Sequence, residues 1–292
     1  MPIFLISHAK KIKYLVFFFG LWIALFIVAP LPINHLFDYA GFLFLGALGA
    51  IFANATGSGG GVVFIPFFNN LGFTEIQAVA TSFAIQCFGM TAGAFTWYRY
   101  YQLQKMNTPE WHHFKGIIAL CGVFSVIGLW LVYGFEFNAP ASLSISFSWF
   151  SLFLGISIFA SVGLLKNSQV NKSLALIDWL VLTFISVLGG AITAWLSVGV
   201  GELVAIYLII RRFEITMAVS AAVVISAITV WAGIWQHTFI DDQIYWQVVL
   251  FAGPGALIGG VLAKTLVSKL SVTRLKLFFA FWLLVIGSVG IS

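Results

Sequence analysis

Charge is scarce in this chain: of 292 residues only 8% are Asp, Glu, Lys or Arg, whereas 61% are hydrophobic. That deficit excludes a soluble domain, for want of polar sequence to cover one, and defines an integral membrane protein. Cysteine is equally rare. Cys87 and Cys121 both fall inside apolar stretches, which excludes a secreted disulfide framework and leaves reduced packing residues. An acid–base set is missing too. The five histidines, His8, His35, His112, His113 and His237, lie at predicted membrane edges or outside, so Ser58 has no base to activate it. Thr56-Gly-Ser58-Gly also lacks the glycine two before the serine that intramembrane proteases carry. Adjacent His112 and His113 point to different helix faces, with no carboxylate or cysteine at metal-ligand spacing. The expectation is therefore no enzyme, no metal and no cofactor.

What the chain does hold is long apolar stretches. Full-length crossings are expected at Tyr14 to Pro30, Glu75 to Tyr98, Phe114 to Gly134, Ser146 to Leu165, Glu214 to His237, Tyr245 to Val267 and Thr273 to Ile291. The first follows Lys10, Lys11 and Lys13 but ends without a small-x-small cleavage pattern, so it reads as a retained helix. Two further segments, Leu36 to Asn70 and Ile177 to Ile210, are each broken by glycine: Gly57-Ser58-Gly59-Gly60-Gly61 in one, Ser197-Val-Gly199-Val-Gly201 in the other. About 35 helical residues reach roughly 52 Å, too long for one crossing and short for two. A re-entrant hairpin fits both, the second arm of the first being about ten residues long.

Positive charge tests this topology, because cytoplasmic loops collect Lys and Arg. With the N-terminus inside and both hairpins returning to their own side, all 14 Lys and Arg fall on one face, while Asp38, Glu75, Glu136, Asp241 and Asp242 fall on the other. The net charge of +5 is thus a matter of orientation, and no nucleic-acid partner is implied.

An internal repeat points the same way. At the 140-residue offset that separates Gly61 from Gly201, the residues Phe44, Leu48, Gly49, Gly59, Gly61, Phe73, Ala78, Val79, Ala92 and Gly93 meet identical residues without a gap. Each unit is then a hairpin plus three crossings, an odd number, so the second unit is upside down relative to the first. The expected fold is an all-α polytopic membrane protein of two inverted repeats. Its division is an extra N-terminal helix (1–35), a first repeat (36–172) and a second (173–292). Inverted repeats with helices broken near the midplane are the layout of many secondary transporters.

The chemistry should sit at the breaks. A half-helix starting after Gly61 points unpaired N–H groups and a positive dipole end at the membrane interior, which suits an anion. The competing reading is close helix packing through small residues. Candidate substrate-binding residues are Gly57, Ser58, Gly59, Gly60, Gly61 and Asn54 in the first hairpin and Gly199 and Gly201 in the second. Thr81, Ser82 and Gln86 lie on the small, polar face of the helix that follows the first hairpin, and Ser226 lies on its counterpart. Hydroxyl and amide groups there either bind an oxyanion or hold helices together. Asn54 either lines the pocket or satisfies backbone freed by the break. Glu202 is the acidic residue placed well inside the apolar zone, expected either to couple substrate to protons or to cap the second half-helix.

The run Gly59-Gly60-Gly61, Pro66, Gly72, Ala78, Thr81-Ser82 resembles the signature of the TauE/SafE family of sulfite and organosulfonate exporters, over about Gly41 to Ile291. The second half departs from it: Val200 interrupts the glycine triplet, Glu202 follows, and no proline matches Pro66. The resemblance implies a multi-pass protein of the bacterial inner membrane that moves sulfite, sulfonates or related organosulfur anions. The expected partners are that small anion and the lipid bilayer, with the N-terminus cytoplasmic and the C-terminus outside. Proton coupling is one option; a passive anion channel and a carrier of short carboxylates are the alternatives.

Overall fold

The computed structural model describes Gly20, Trp22, Ile23 and residues 38–164, 173–269 and 272–290. The expected first helix, Tyr14 to Pro30, lies largely outside these, as do the N-terminal lysines, Lys166 and Lys172. From residue 38 onward the regular structure of the described residues is helical. It comprises α1 (Phe42–Thr56), α2 (Gly61–Asn70), α3 (Glu75–Tyr100), α4 (Phe114–Gly134), α5 (Leu143–Leu164), α6 (Leu176–Leu196), α7 (Val200–Ile210), α8 (Ile215–Phe239), α9 (Trp246–Lys269) and α10 (Val272–Val289).

Local signals account for several boundaries. Thr74 and Gln77 form a reciprocal cap at the start of α3, each side chain accepting the other's N–H. Glu75 then reaches across to accept the Leu143 N–H at 2.9 Å, which starts α5 three residues earlier than its hydropathy suggests. Among the described residues six helices are long and apolar enough to cross a membrane: those built on α3, α4, α5, α6, α8 and α9. Their number includes α6, expected as a hairpin arm. Its 21 residues reach about 31 Å, against about 22 Å for the 15 residues of α1, so the two broken segments are unequal in length.

Helix ends sort by charge. At one end Lys105 pairs with Glu214 at 3.2 Å, Trp111 donates to Glu214 at 2.6 Å, Arg211 binds Asp178 and Lys264 lies over the Tyr100 ring. The opposite end carries Tyr39 beside Tyr245, Glu75 at α5, and Tyr133 with His237 and Asp241. We call these the basic and acidic ends.

Packing follows a pattern that survives exchange of the two halves. Helix α9 packs on α1 as α4 packs on α6, and α3 and α5 pack on α8 and α10, their own sequence counterparts. Backbones meet closely in these contacts: a side chain at Gly46 would collide with the Ala252 carbonyl, and one at Gly128 with that of Val187. Both counterpart pairs run antiparallel. Phe83 lies beside Gly233 and His237 while Cys87 touches Val230, and Gly155 lies against Ala280 while Gly287 lies against Ser148.

The base of each broken segment closes differently. Phe42 of α1 meets Phe67 and Phe68 of α2, with ring centroids 6.2 and 6.4 Å apart. At the basic end, Asp178 of α6 accepts from Tyr207 (2.6 Å) and Arg211 (3.0 Å) at the far end of α7.

Candidate functional site

The helix before each break ends on one residue in the left-handed region, and in the second break Gly199 (φ 151°) follows. Gly57 (φ 84°) ends α1, its N–H donating to the Ala53 carbonyl at 3.0 Å, and Ser197 (φ 59°) ends α6 in the same way on Thr193 at 2.8 Å. Glycine adopts this conformation freely; a serine pays about 1–2 kcal/mol. Ser197 is held there by its neighbours: Gln86 Nε2 donates to its hydroxyl (2.7 Å) and carbonyl (3.0 Å), and its hydroxyl donates to Ser82 at 2.9 Å.

Glu202 joins the two tips. One carboxylate oxygen accepts the Gly59 N–H at 2.6 Å and the other accepts the Gly199 N–H at 2.9 Å. Gln86 completes the arrangement by accepting the Gly60 N–H at 2.8 Å, its Nε2 lying 3.1 Å from the Ser82 hydroxyl. Glu202, Gln86, Ser82 and Ser197 are all buried. The cradle expected at the start of the first half-helix is thus present, but Gly59 and Gly60 are not the unpaired donors anticipated: protein acceptors from Glu202 and Gln86 fill them. One carboxyl group thus takes up backbone donors at the starts of both half-helices.

Close approach explains two of the glycines. A side chain at Gly61 would stand 2.7 Å from the Ser197 carbonyl, and one at Gly201 would meet Ser226 and lie 2.6 Å from the Gly57 carbonyl. Tip packs on tip without room for a methyl group, and Ser226 serves as part of that surface. Other candidates lie elsewhere. Thr81 accepts the Tyr245 N–H at 3.0 Å and so fixes the approach to α9. Asn54 donates to the carbonyls of Ala50 (2.8 Å) and Gly89 (3.2 Å), tying α1 to α3 rather than serving backbone freed by the break.

Beside the tips lies a narrow pocket of about 10 Å³. Thr56, Ser58 and Glu202 give it a polar floor, and Ile158 of α5 with Ala205, Ile206 and Ile209 of α7 give it apolar walls. Thr56 and Ile158 carried no sequence signal of their own, and Ser197 was marked by the sequence as the start of the second break but not as a residue held by Gln86 and Ser82. Asp178, Tyr207 and Arg211 did carry one: a hairpin with its base at the basic end brings residues near 178 and 211 together. The acidic-end cluster was also missed. His237 Nδ1 bonds Asp241 at 2.7 Å while its Nε2 meets the Tyr133 hydroxyl at 3.0 Å, and that contact with His237 holds Asp241 below its ordinary carboxylate range. Cys87 and Cys121 are free and buried.

Paired broken helices meeting tip to tip inside a bundle of apolar, membrane-length helices define a multi-pass membrane protein. Residues 42–289 match the model of the family described as sulfite exporter TauE/SafE, and the chain belongs to that family. Membership makes it a membrane protein of sulfite and sulfur-compound export, in a family of transporters rather than enzymes. Comparison with curated proteins and with solved structures gives no match.

Proposed function

We propose that this protein is a secondary transporter that carries a small sulfur-containing anion (sulfite, a sulfonate or a related organosulfur compound) across the bacterial inner membrane by alternating access, coupled to protons through Glu202. Two inverted units, each a re-entrant hairpin plus three crossings, form the frame. The antiparallel packing of α3 on α8 and of α5 on α10, each helix against its sequence counterpart, supports that inversion. The hairpin bases at opposite ends support two re-entrant segments. The gathering of Lys105, Arg211 and Lys264 at one end supports a cytoplasmic assignment for it.

One observation carries the reading: the Glu202 carboxylate occupies the Gly59 and Gly199 N–H groups at once. Two unit negative charges about 4 Å apart repel by roughly 4 kcal/mol even at an effective dielectric of about 20, so a substrate anion and an ionised Glu202 do not share those donors. Protonation removes that repulsion and turns one oxygen from acceptor to donor. Anion and proton then enter together. A carrier is favoured over a channel because the tips, Gln86 and Glu202 are packed closed across the centre.

The test is counterflow of labelled sulfite, thiosulfate, alkylsulfonates and short carboxylates into proteoliposomes, paired with ligand-dependent thermal stabilisation. Saturable counterflow and stabilisation by the sulfur anions are expected. Response to carboxylates alone would overturn the sulfur assignment, and high conductance without counterflow would replace carrier by channel.

A further inference from the structure

Resting on the transporter reading, we infer that the anion reaches the tips from the basic end, through the seam between α5 and α7, and that Ile158 is the side chain that closes this path. The cavity defines the seam. Glu202, Ala205, Ile206 and Ile209 lie at spacings of three, four and seven, so they form one stripe along α7. That stripe runs from the tips toward Arg211, at the basic end. Facing it, α5 starts at the acidic end, where Leu143 meets Glu75. Ile158 lies fifteen residues further along, about 22 Å, and so belongs to the half nearer the basic end.

The seam is closed by aliphatic side chains. Ile158, Ala205, Ile206 and Ile209 are all at most 9% exposed, and all four side chains are aliphatic. Elsewhere in the bundle, backbone lies against backbone at Gly46, Gly128 and Gly190. Helix α5 is different, since its main partner is α10, through Gly155 and Gly287, and it touches α7 more lightly. A pair of helices held chiefly to each other is free to swing from the tips without disturbing the rest.

The polar floor also occurs on one side of the repeat. At the offset of 140, the counterparts of Thr56, Ser58 and Glu202 are Leu196, Val198 and Val62, none of which offers a hydroxyl or a carboxylate. Hydroxyl donors for an oxyanion therefore face the seam toward the basic end, and the matching face of the other half is apolar. Thr56 Oγ1 donates to the Phe52 carbonyl at 2.8 Å in the closed state, so Ser58 is the first hydroxyl an arriving oxyanion meets.

Single cysteines at Ala205 and Ile209, in a Cys87→Ala/Cys121→Ala background, test the path with a membrane-impermeant maleimide applied to sealed vesicles of either orientation. Labelling from the basic-end side, slowed by sulfite or methanesulfonate, is expected; labelling from the acidic end, or from neither side, would overturn the path. The gate is tested by size. Ile158→Trp should abolish counterflow and Ile158→Ala should admit bulkier sulfonates, with both variants checked for folding by gel filtration; wild-type counterflow and selectivity in both would overturn the role of Ile158. Sidedness of labelling is independent of transport: a background protein that labels from the basic end but moves no anion would sink the transporter reading and leave the path standing.

Discussion

The two tips end their first helices with the same left-handed turn, one on a glycine and the other on a serine. The first presents Gly57 to Gly61, a buried and uncharged turn whose Gly59 and Gly60 N–H groups are taken by other elements. The second presents Ser197, strained and clamped, with Glu202, which accepts the first of these. Ser197 is pinned from three directions by Gln86 and Ser82, while Gly57 needs no such support because its backbone conformation is free to a glycine. The lesson is that two tips alike in backbone can differ in what they contribute: both supply N–H donors to Glu202, and the second alone supplies the carboxyl group that takes them.

Removing that carboxyl group should have the largest effect. Glu202→Ala leaves the Gly59 and Gly199 N–H groups without their acceptor, each costing roughly 1–3 kcal/mol when buried. Thermal unfolding in detergent should fall by several degrees and be partly restored by added sulfite, which an apolar packing role for Glu202 does not predict. Next come the close contacts between tips. Gly61→Ala and Gly201→Ala should each destabilise by about 1–3 kcal/mol through overpacking, and reduce counterflow further than their stability loss accounts for. Tolerance of alanine at both positions would break the account of tip against tip.

A smaller contrast separates the two helix ends. Gly57→Ala should cost about 1–2 kcal/mol by forcing a side chain into the left-handed region. Ser197→Ala pays no new backbone strain and loses only its hydroxyl bonds, about 1 kcal/mol. Equal losses would mean that the tips are not distinguished in this way. The smallest effect lies at the acidic end. Asp241 is depressed below its ordinary value of 3.8, first by the hydrogen bond from His237. A carboxylate depressed in the folded state contributes stability that is complete above the unfolded value and is lost as pH falls through the folded one. The unfolding midpoint should therefore drop as pH falls below 3.8, and His237→Gln should flatten that drop.

Much of the fold was legible because glycine clusters in an apolar chain mark breaks with little ambiguity. The second arm of the first hairpin, expected at about ten residues from Val62, is Gly61–Asn70. The repeat offset aligned the tips but carried no information about contacts across it, such as Glu202 to Gly59, 143 residues away. Side-chain destinations were the hard part. Gln86 and Ser82 sit on the expected polar face, yet they hold Ser197, and Thr81 on the same helix turns away to Tyr245. A hydroxyl or amide in a membrane satisfies whichever group the fold brings near, and helix spacing alone does not say which. The role of α5 was hidden for the same reason. Ile158 looks like any lipid-facing isoleucine until α7 is placed against it.

The central claim, that Glu202 stands in for the transported anion until a proton releases it, is tested most directly by the pH profile of counterflow in proteoliposomes for wild type and Glu202→Gln. The account predicts a wild-type rate that rises as pH falls, and a Glu202→Gln rate that is flat across the same range while saturable exchange persists. A Glu202→Gln protein that keeps the wild-type pH dependence would contradict it.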